Sequence, residues 1–65
     1  MPADRELWAV ASHTIERHGR DAPLFVAERI GALAMAGDAA GIEVWREIAG
    51  RMAQLMAQAP IGPNA

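Results

Sequence analysis

Residues 18–23, His-Gly-Arg-Asp-Ala-Pro, and residues 37–42, Gly-Asp-Ala-Ala-Gly-Ile, are the two stretches that decide the fold. In each of them a glycine precedes an aspartate. Glycine adopts the left-handed conformation that is common just past a helix end, and an aspartate carboxylate can accept hydrogen bonds from the free amides of the next helix. Pro23 falls in the first turn of a following helix, where its missing N–H costs little. These signals predict three helices, over about residues 4–18, 22–36 and 39–58.

The apolar pattern differs among the three predicted helices. The first has one apolar side, with polar and charged residues on the rest, as is typical of an amphipathic surface helix. The second has a main stripe of Val26, Ile30 and Leu33. Its opposite side is also apolar and consists of Leu24, Gly31 and Met35. Because a helix that is apolar nearly all round is normally covered on more than one side, this helix has more apolar surface than one bundle position requires.

The third predicted helix is the longest, at about 30 Å for a rise of 1.5 Å per residue. Its continuous apolar stripe ends in Met52, Leu55 and Met56. Short connections place consecutive helices side by side and antiparallel. The sequence therefore predicts an all-α fold, a small three-helix bundle with a long C-terminal helix, in one domain over residues 1–59. Pro60 ends the last helix, and residues 60–65 are predicted to be a flexible tail.

Composition narrows the functional classes. The chain has 65 residues, no cysteine and a net charge of −2, and its six basic residues are dispersed arginines. A domain of this size usually needs an additional stabilising element, such as a disulfide or a partner subunit. Because this chain cannot form a disulfide, a partner subunit is an obvious candidate. Dispersed arginines in an acidic chain do not form the basic patch that is typical of nucleic-acid-binding proteins. No segment is long and apolar enough to span a bilayer, and no secretory signal pattern is present, so we expect a cytoplasmic protein with no membrane partner.

The sequence contains no convincing catalytic, metal-binding or cofactor-binding constellation. His13 and His18 are five residues apart, so their side chains point about 140° apart on a helix and cannot share one ion. His18 is better explained as a packed residue at a helix end, with a ligand or acid–base role as the alternative. Ser12 and Thr14 have no histidine at the spacing that a nucleophile's base would need. We therefore expect no enzymatic activity, no metal and no cofactor.

Several segments resemble a family of short bacterial proteins of unknown function. The resemblance rests on residues 25–33 (FVAERIGAL), 37–41 (GDAAG) and 45–48 (WREI), with Arg51, Leu7-Trp8 and His18-Gly19. It covers roughly Glu6 to Leu55. It implies a small all-helical protein, and it supplies no activity and no catalytic residues.

These observations favour a protein–protein interaction module, either a homodimer or an adaptor for another protein. The candidate partner surface consists of the second apolar side of helix two and the methionine-rich end of helix three: Leu24, Gly31, Met35, Met52, Leu55 and Met56. Methionine side chains adapt to irregular partner surfaces. The alternative is a small DNA-binding module, since helices two and three are joined by a short glycine-containing turn like that of a helix-turn-helix. The front of the third helix, however, offers no side chain suited to reading base edges.

Overall fold

The computed structural model describes residues 1–58, and almost all of them are helical. The elements are α1 (Asp4–His18), a short 3₁₀ helix (Gly19–Asp21), α2 (Ala22–Met35) and α3 (Ala39–Gln58). The predicted all-α class and the long C-terminal helix are confirmed. α2 ends at Met35, one residue before the predicted end. The predicted tail over residues 60–65 lies outside the described residues.

The connection between α1 and α2 is tighter than predicted. Gly19 ends α1 with a φ of 58°, and the next turn continues as a 3₁₀ helix directly into α2. α1 and α2 therefore follow one another as a single bent helical arm. Pro23 lies in the first turn of α2, as predicted, but the prediction for Asp21 was wrong: its carboxylate forms no capping hydrogen bond. The 3₁₀ turn takes over the role of ending one helix and starting the next.

The turn between α2 and α3 follows the predicted capping chemistry. Gly37 has a φ of 74°, its N–H donates to the carbonyl of Ala34 at 3.1 Å, and the N–H of Asp38 donates to the carbonyl of Leu33 at 2.9 Å. This pair of hydrogen bonds is a Schellman motif, which satisfies the last carbonyls of α2. The Asp38 carboxylate then accepts a hydrogen bond from the N–H of Gly41 at 2.8 Å and caps α3. Local chemistry thus sets this turn completely.

α3 is the element on which the other two helices pack. α1 and α2 each make more contacts with α3 than they make with each other, so the predicted close α1–α2 pairing is limited. Two buried apolar residues from each helix form the core: Leu7, Ala11, Ala22, Val26, Ile48 and Met52. The buried hydroxyl of Thr14 donates to the carbonyl of Val10 at 2.7 Å, so it needs no other partner. The core is small because two of its six members are alanines.

Met52 was predicted to belong to a partner surface, and in the single chain it lies in the core. Its side chain is only 2% exposed and packs in the core with Val26 and Ile48. Leu55 and Met56, one turn further along α3, are half-buried. The apolar stripe of α3 is therefore not one surface: its centre is covered by α1 and α2, and only its margins reach the solvent.

Candidate functional site: an apolar groove between α2 and α3

The most distinctive surface feature is an apolar groove of about 260 Å³ between α2 and α3, which we call the α2/α3 groove. All of its lining residues are apolar. They are Pro23, Val26, Ala27, Ile30, Ala49, Met52, Ala53 and Met56. Val26 and Met52 are buried and form its floor, whereas Ala27 and Ala53 are exposed at its edges.

The groove follows from matched spacing on two helices that run in opposite directions. Pro23, Ala27 and Ile30 are separated by four and three residues, and Ala49, Ala53 and Met56 repeat that spacing on α3. Residues at this spacing share one face of a helix. Small side chains at Ala27, Ala49 and Ala53 leave the space between the helices open, because longer side chains there would fill it. The groove is therefore built into the pattern of small and large apolar residues.

A second depression, of about 320 Å³, lies on the other side of α3 against the end of α1. It is lined by Ser12, Ile15, Glu16, Gly19, Leu55 and Met56. Met56 lines both depressions, so the two meet at the C-terminal part of α3. Glu16 gives this second depression a charged edge, which the α2/α3 groove does not have.

The predicted surface of α2 lies beside the groove and is open to solvent. Leu24 is 59% exposed and Met35 is 92% exposed. Gly31 is exposed between them, and a Cβ built on it would meet nothing within 4 Å. Together with Glu28, which has the same helical phase, these residues form what we call the outer strip of α2: Leu24, Glu28, Gly31 and Met35. The strip adjoins the groove through Ala27, which is three residues after Leu24 and four before Gly31, and it continues round α2 to the side opposite Val26.

Sequence reasoning missed the small residues of the groove. It singled out Met52, Leu55 and Met56 of α3 as a binding surface and assigned no such role to Ala27, Ala49 or Ala53, because alanine carries little weight in a hydrophobic stripe. The repeated four-and-three spacing of apolar residues on both helices was the available signal. Of the six predicted residues, Met52 and Met56 line the groove and Leu55 lines the neighbouring depression.

The charged side chains that interact are on the opposite side of α3. Arg51 donates to the Glu47 carboxylate at 2.7 Å and also binds the Asp4 carboxylate of α1. Its guanidinium lies 5.6 Å from the centre of the Trp8 ring, and the Trp8 indole N–H donates to Asp4 at 3.1 Å. The hydrogen bond from Arg51 holds the pKa of Asp4 below its ordinary value, and the same bond raises the pKa of Arg51. This cluster joins α1 to α3 and leaves the groove uncharged.

An aromatic row stabilises the junction of the three helices. The His18 ring stacks on Phe25 with centroids 4.1 Å apart, and Phe25 meets the edge of Trp45 at 6.1 Å. The guanidinium of Arg29 lies 5.7 Å from the centre of the Trp45 ring. His18 is therefore packed at a helix end, as the sequence predicted. Within residues 1–58, no three histidine, aspartate or glutamate side chains converge as a metal site would require.

Comparison with known proteins places this fold in a family. A family model matches residues 3–60, nearly the whole chain. The chain belongs to DUF6961, a family of unknown function. Neither the curated proteins nor the solved structures provided a match. None of the helices in the described part of the chain has the length and apolarity needed to cross a membrane. Membership in the family agrees with the resemblance noted in the sequence and brings no activity with it.

Proposed function

We propose that this protein is a protein–protein interaction module whose binding surface is the α2/α3 groove with the outer strip of α2. The observation that carries the proposal is the uniform apolar lining of the groove beside the exposed side chains of Leu24 and Met35. Binding surfaces commonly have an apolar centre and a polar rim. The apolar lining of the groove corresponds to such a centre.

Covering this face with a partner is energetically more favourable than leaving its apolar side chains in water. Fully burying a leucine or methionine side chain contributes about 1.5–3 kcal/mol relative to leaving it in water. Leu24 and Met35 contribute little of this to the isolated fold, since most of each side chain is exposed. A partner that covers them and fills the groove gains that energy without rearranging the core. The groove is also preformed, which lowers the entropic cost of binding.

We propose a non-catalytic role in the cytoplasm for this surface. Its lining offers no nucleophile and no acid or base. A DNA-binding module comes second, because the first turn of α3 presents Ala39, Ala40 and Gly41 and has no side chain that could donate to a base edge. Duplex DNA is accordingly a control ligand for the experiment that follows.

Site-resolved photo-crosslinking in cells tests the proposal. A photo-crosslinking amino acid is placed at Ala27 or Ala53, on the edges of the groove, and at Glu47 or Gln54 as matched controls on the polar side of α3. We expect one discrete protein adduct, of the same mass at both groove positions and absent at both control positions. Adducts that are equal at groove and control positions, a DNA adduct, or no adduct at either groove position would each overturn the proposal.

A further inference from the structure

We propose that the occupant of the α2/α3 groove is a second copy of this chain. This inference rests on the proposed function and names its partner. The product is a symmetric dimer in which the two α2–α3 pairs form a four-helix layer and each α1 lies on the outside.

The small core of the single chain is the first argument. Within residues 1–58, the buried apolar residues number six, and no large side chain among them is completely enclosed. Domains of this size bury a smaller share of their surface than larger ones, and many gain the missing stability by oligomerisation. A second copy on the groove would enclose the exposed sides of Ile30 and Met56.

The shape of the face is the second argument. A dimer with twofold symmetry uses the same patch on both copies, so the patch must fit itself. Small residues on both helices, Ala27, Gly31 and Ala53, allow helices to approach to the short end of the usual 8–10 Å spacing. The larger side chains of Leu24 and Met35 stand at the margin of the face, where they can reach across to the other copy.

The size of the face is adequate for a stable dimer. α2 is about 21 Å long, and two helices side by side are about 20 Å wide. A flat area of that size is about 400 Å² per copy, and the corrugated accessible surface over it is larger. Two copies therefore cover about 800 Å² as flat area, and the corrugated surface brings the total close to the roughly 1,000 Å² that separates specific interfaces from incidental contacts.

The mass of the purified full-length chain in solution tests the dimer. We expect sedimentation equilibrium to give twice 6.9 kDa at high micromolar concentration. Ala53→Glu, which adds a charge to the groove edge at an exposed helix position, should give a monomer with unchanged helical circular dichroism. Gln54→Glu adds the same charge one residue away, on the polar side of α3, and should remain dimeric. A monomeric wild-type chain, or equal mass for the two variants, would contradict the dimer.

The two proposals fail in distinguishable ways. A monomeric chain whose groove positions still crosslink to a different protein would remove the second copy as partner and leave the interaction module intact. A monomeric chain with no adduct at Ala27 or Ala53 would remove both. An adduct with the mass of two copies, together with a dimer in solution, supports both.

Discussion

At the scale of single residues, one ion pair connects the first turn of α1 to α3. Asp4 and Arg51 are 47 positions apart in sequence, and their contact fixes the N-terminal turn of α1 against α3. Arg51 is also held by Glu47 and by the face of the Trp8 ring, so its guanidinium is well positioned before Asp4 approaches. Such preorganisation lowers the entropic cost of a surface ion pair.

Asp4→Asn should change the pH dependence of stability. Because the pKa of Asp4 is lower in the folded chain than its ordinary value of 3.8, the carboxylate stabilises the fold above that value. This stabilisation is lost as the pH falls through the lower, folded-state pKa. Thermal unfolding should therefore show wild type slightly more stable than the variant at pH 7 and equal to it once the pH is below the folded-state pKa of Asp4. Glu43→Gln serves as the control, because this carboxylate lies outside the ion pairs of residues 1–58. If Asp4→Asn lowered the stability equally at both pH values, the lowered pKa of Asp4 would not be the cause.

Three helical glycines should respond differently to alanine. A Cβ at Gly41 would lie 2.7 Å from a carboxylate oxygen of Asp38 and 3.1 Å from a methyl group of Leu33, whereas Gly31 and Gly50 have open space. Gly31→Ala and Gly50→Ala should each stabilise the monomeric fold by about 0.5–1 kcal/mol through helix propensity. Gly41→Ala should instead lower stability, because it displaces the capping carboxylate.

Chemical denaturation of the three glycine variants measures this contrast. To keep dimerisation out of the comparison, the substitutions are made in the Ala53→Glu background. A Gly41→Ala variant as stable as the other two would show that Asp38 can move without losing its cap.

At the scale of elements, α3 holds the molecule together because both other helices pack on it. Ile48 is 2% exposed and belongs to the core shared with α1 and α2. Ile48→Ala should cost about 2–4 kcal/mol, from lost apolar transfer energy and the cavity left behind. In a domain this small, that loss approaches the whole stability.

Met35→Ala is the matched control for the core substitution, since Met35 is 92% exposed in the single chain. In the monomeric background, urea denaturation should show a change below about 0.5 kcal/mol for Met35→Ala. Comparable losses for Ile48→Ala and Met35→Ala would mean that α3 is not the helix that carries the core.

At the scale of the whole molecule, the proposed dimer links stability to concentration. Mass action stabilises a folded state that associates. The thermal midpoint of the wild-type chain should rise by several degrees between about 5 and 500 μM, and that of Ala53→Glu should stay constant. Differential scanning calorimetry at several concentrations measures both. A wild-type midpoint that does not move with concentration would count against the dimer.

The sequence determined the helices and their ends. The bounds of α1 and α3, the glycine at residue 37, the Asp38 cap and the position of Pro23 were all readable because helix hydrogen bonds and caps join residues at most a few positions apart. The surplus of apolar surface on α2 was readable for the same reason, since Leu24, Gly31 and Met35 share a phase within one element. Asp21 was the local exception: the aspartate was present, but a 3₁₀ turn removed the need for its cap.

The tertiary structure alone decided which apolar faces are covered. The spacing of apolar residues along a helix shows that one face is apolar. Which residues of that face contact another helix depends on how the two helices cross. That is why Met52 lies in the core while Met35 is almost fully exposed, and why the alanines at positions 27, 49 and 53 became the walls of a groove. The pairing of Asp4 with Arg51 is of the same kind, because a contact across 47 residues exists only once α1 has packed on α3.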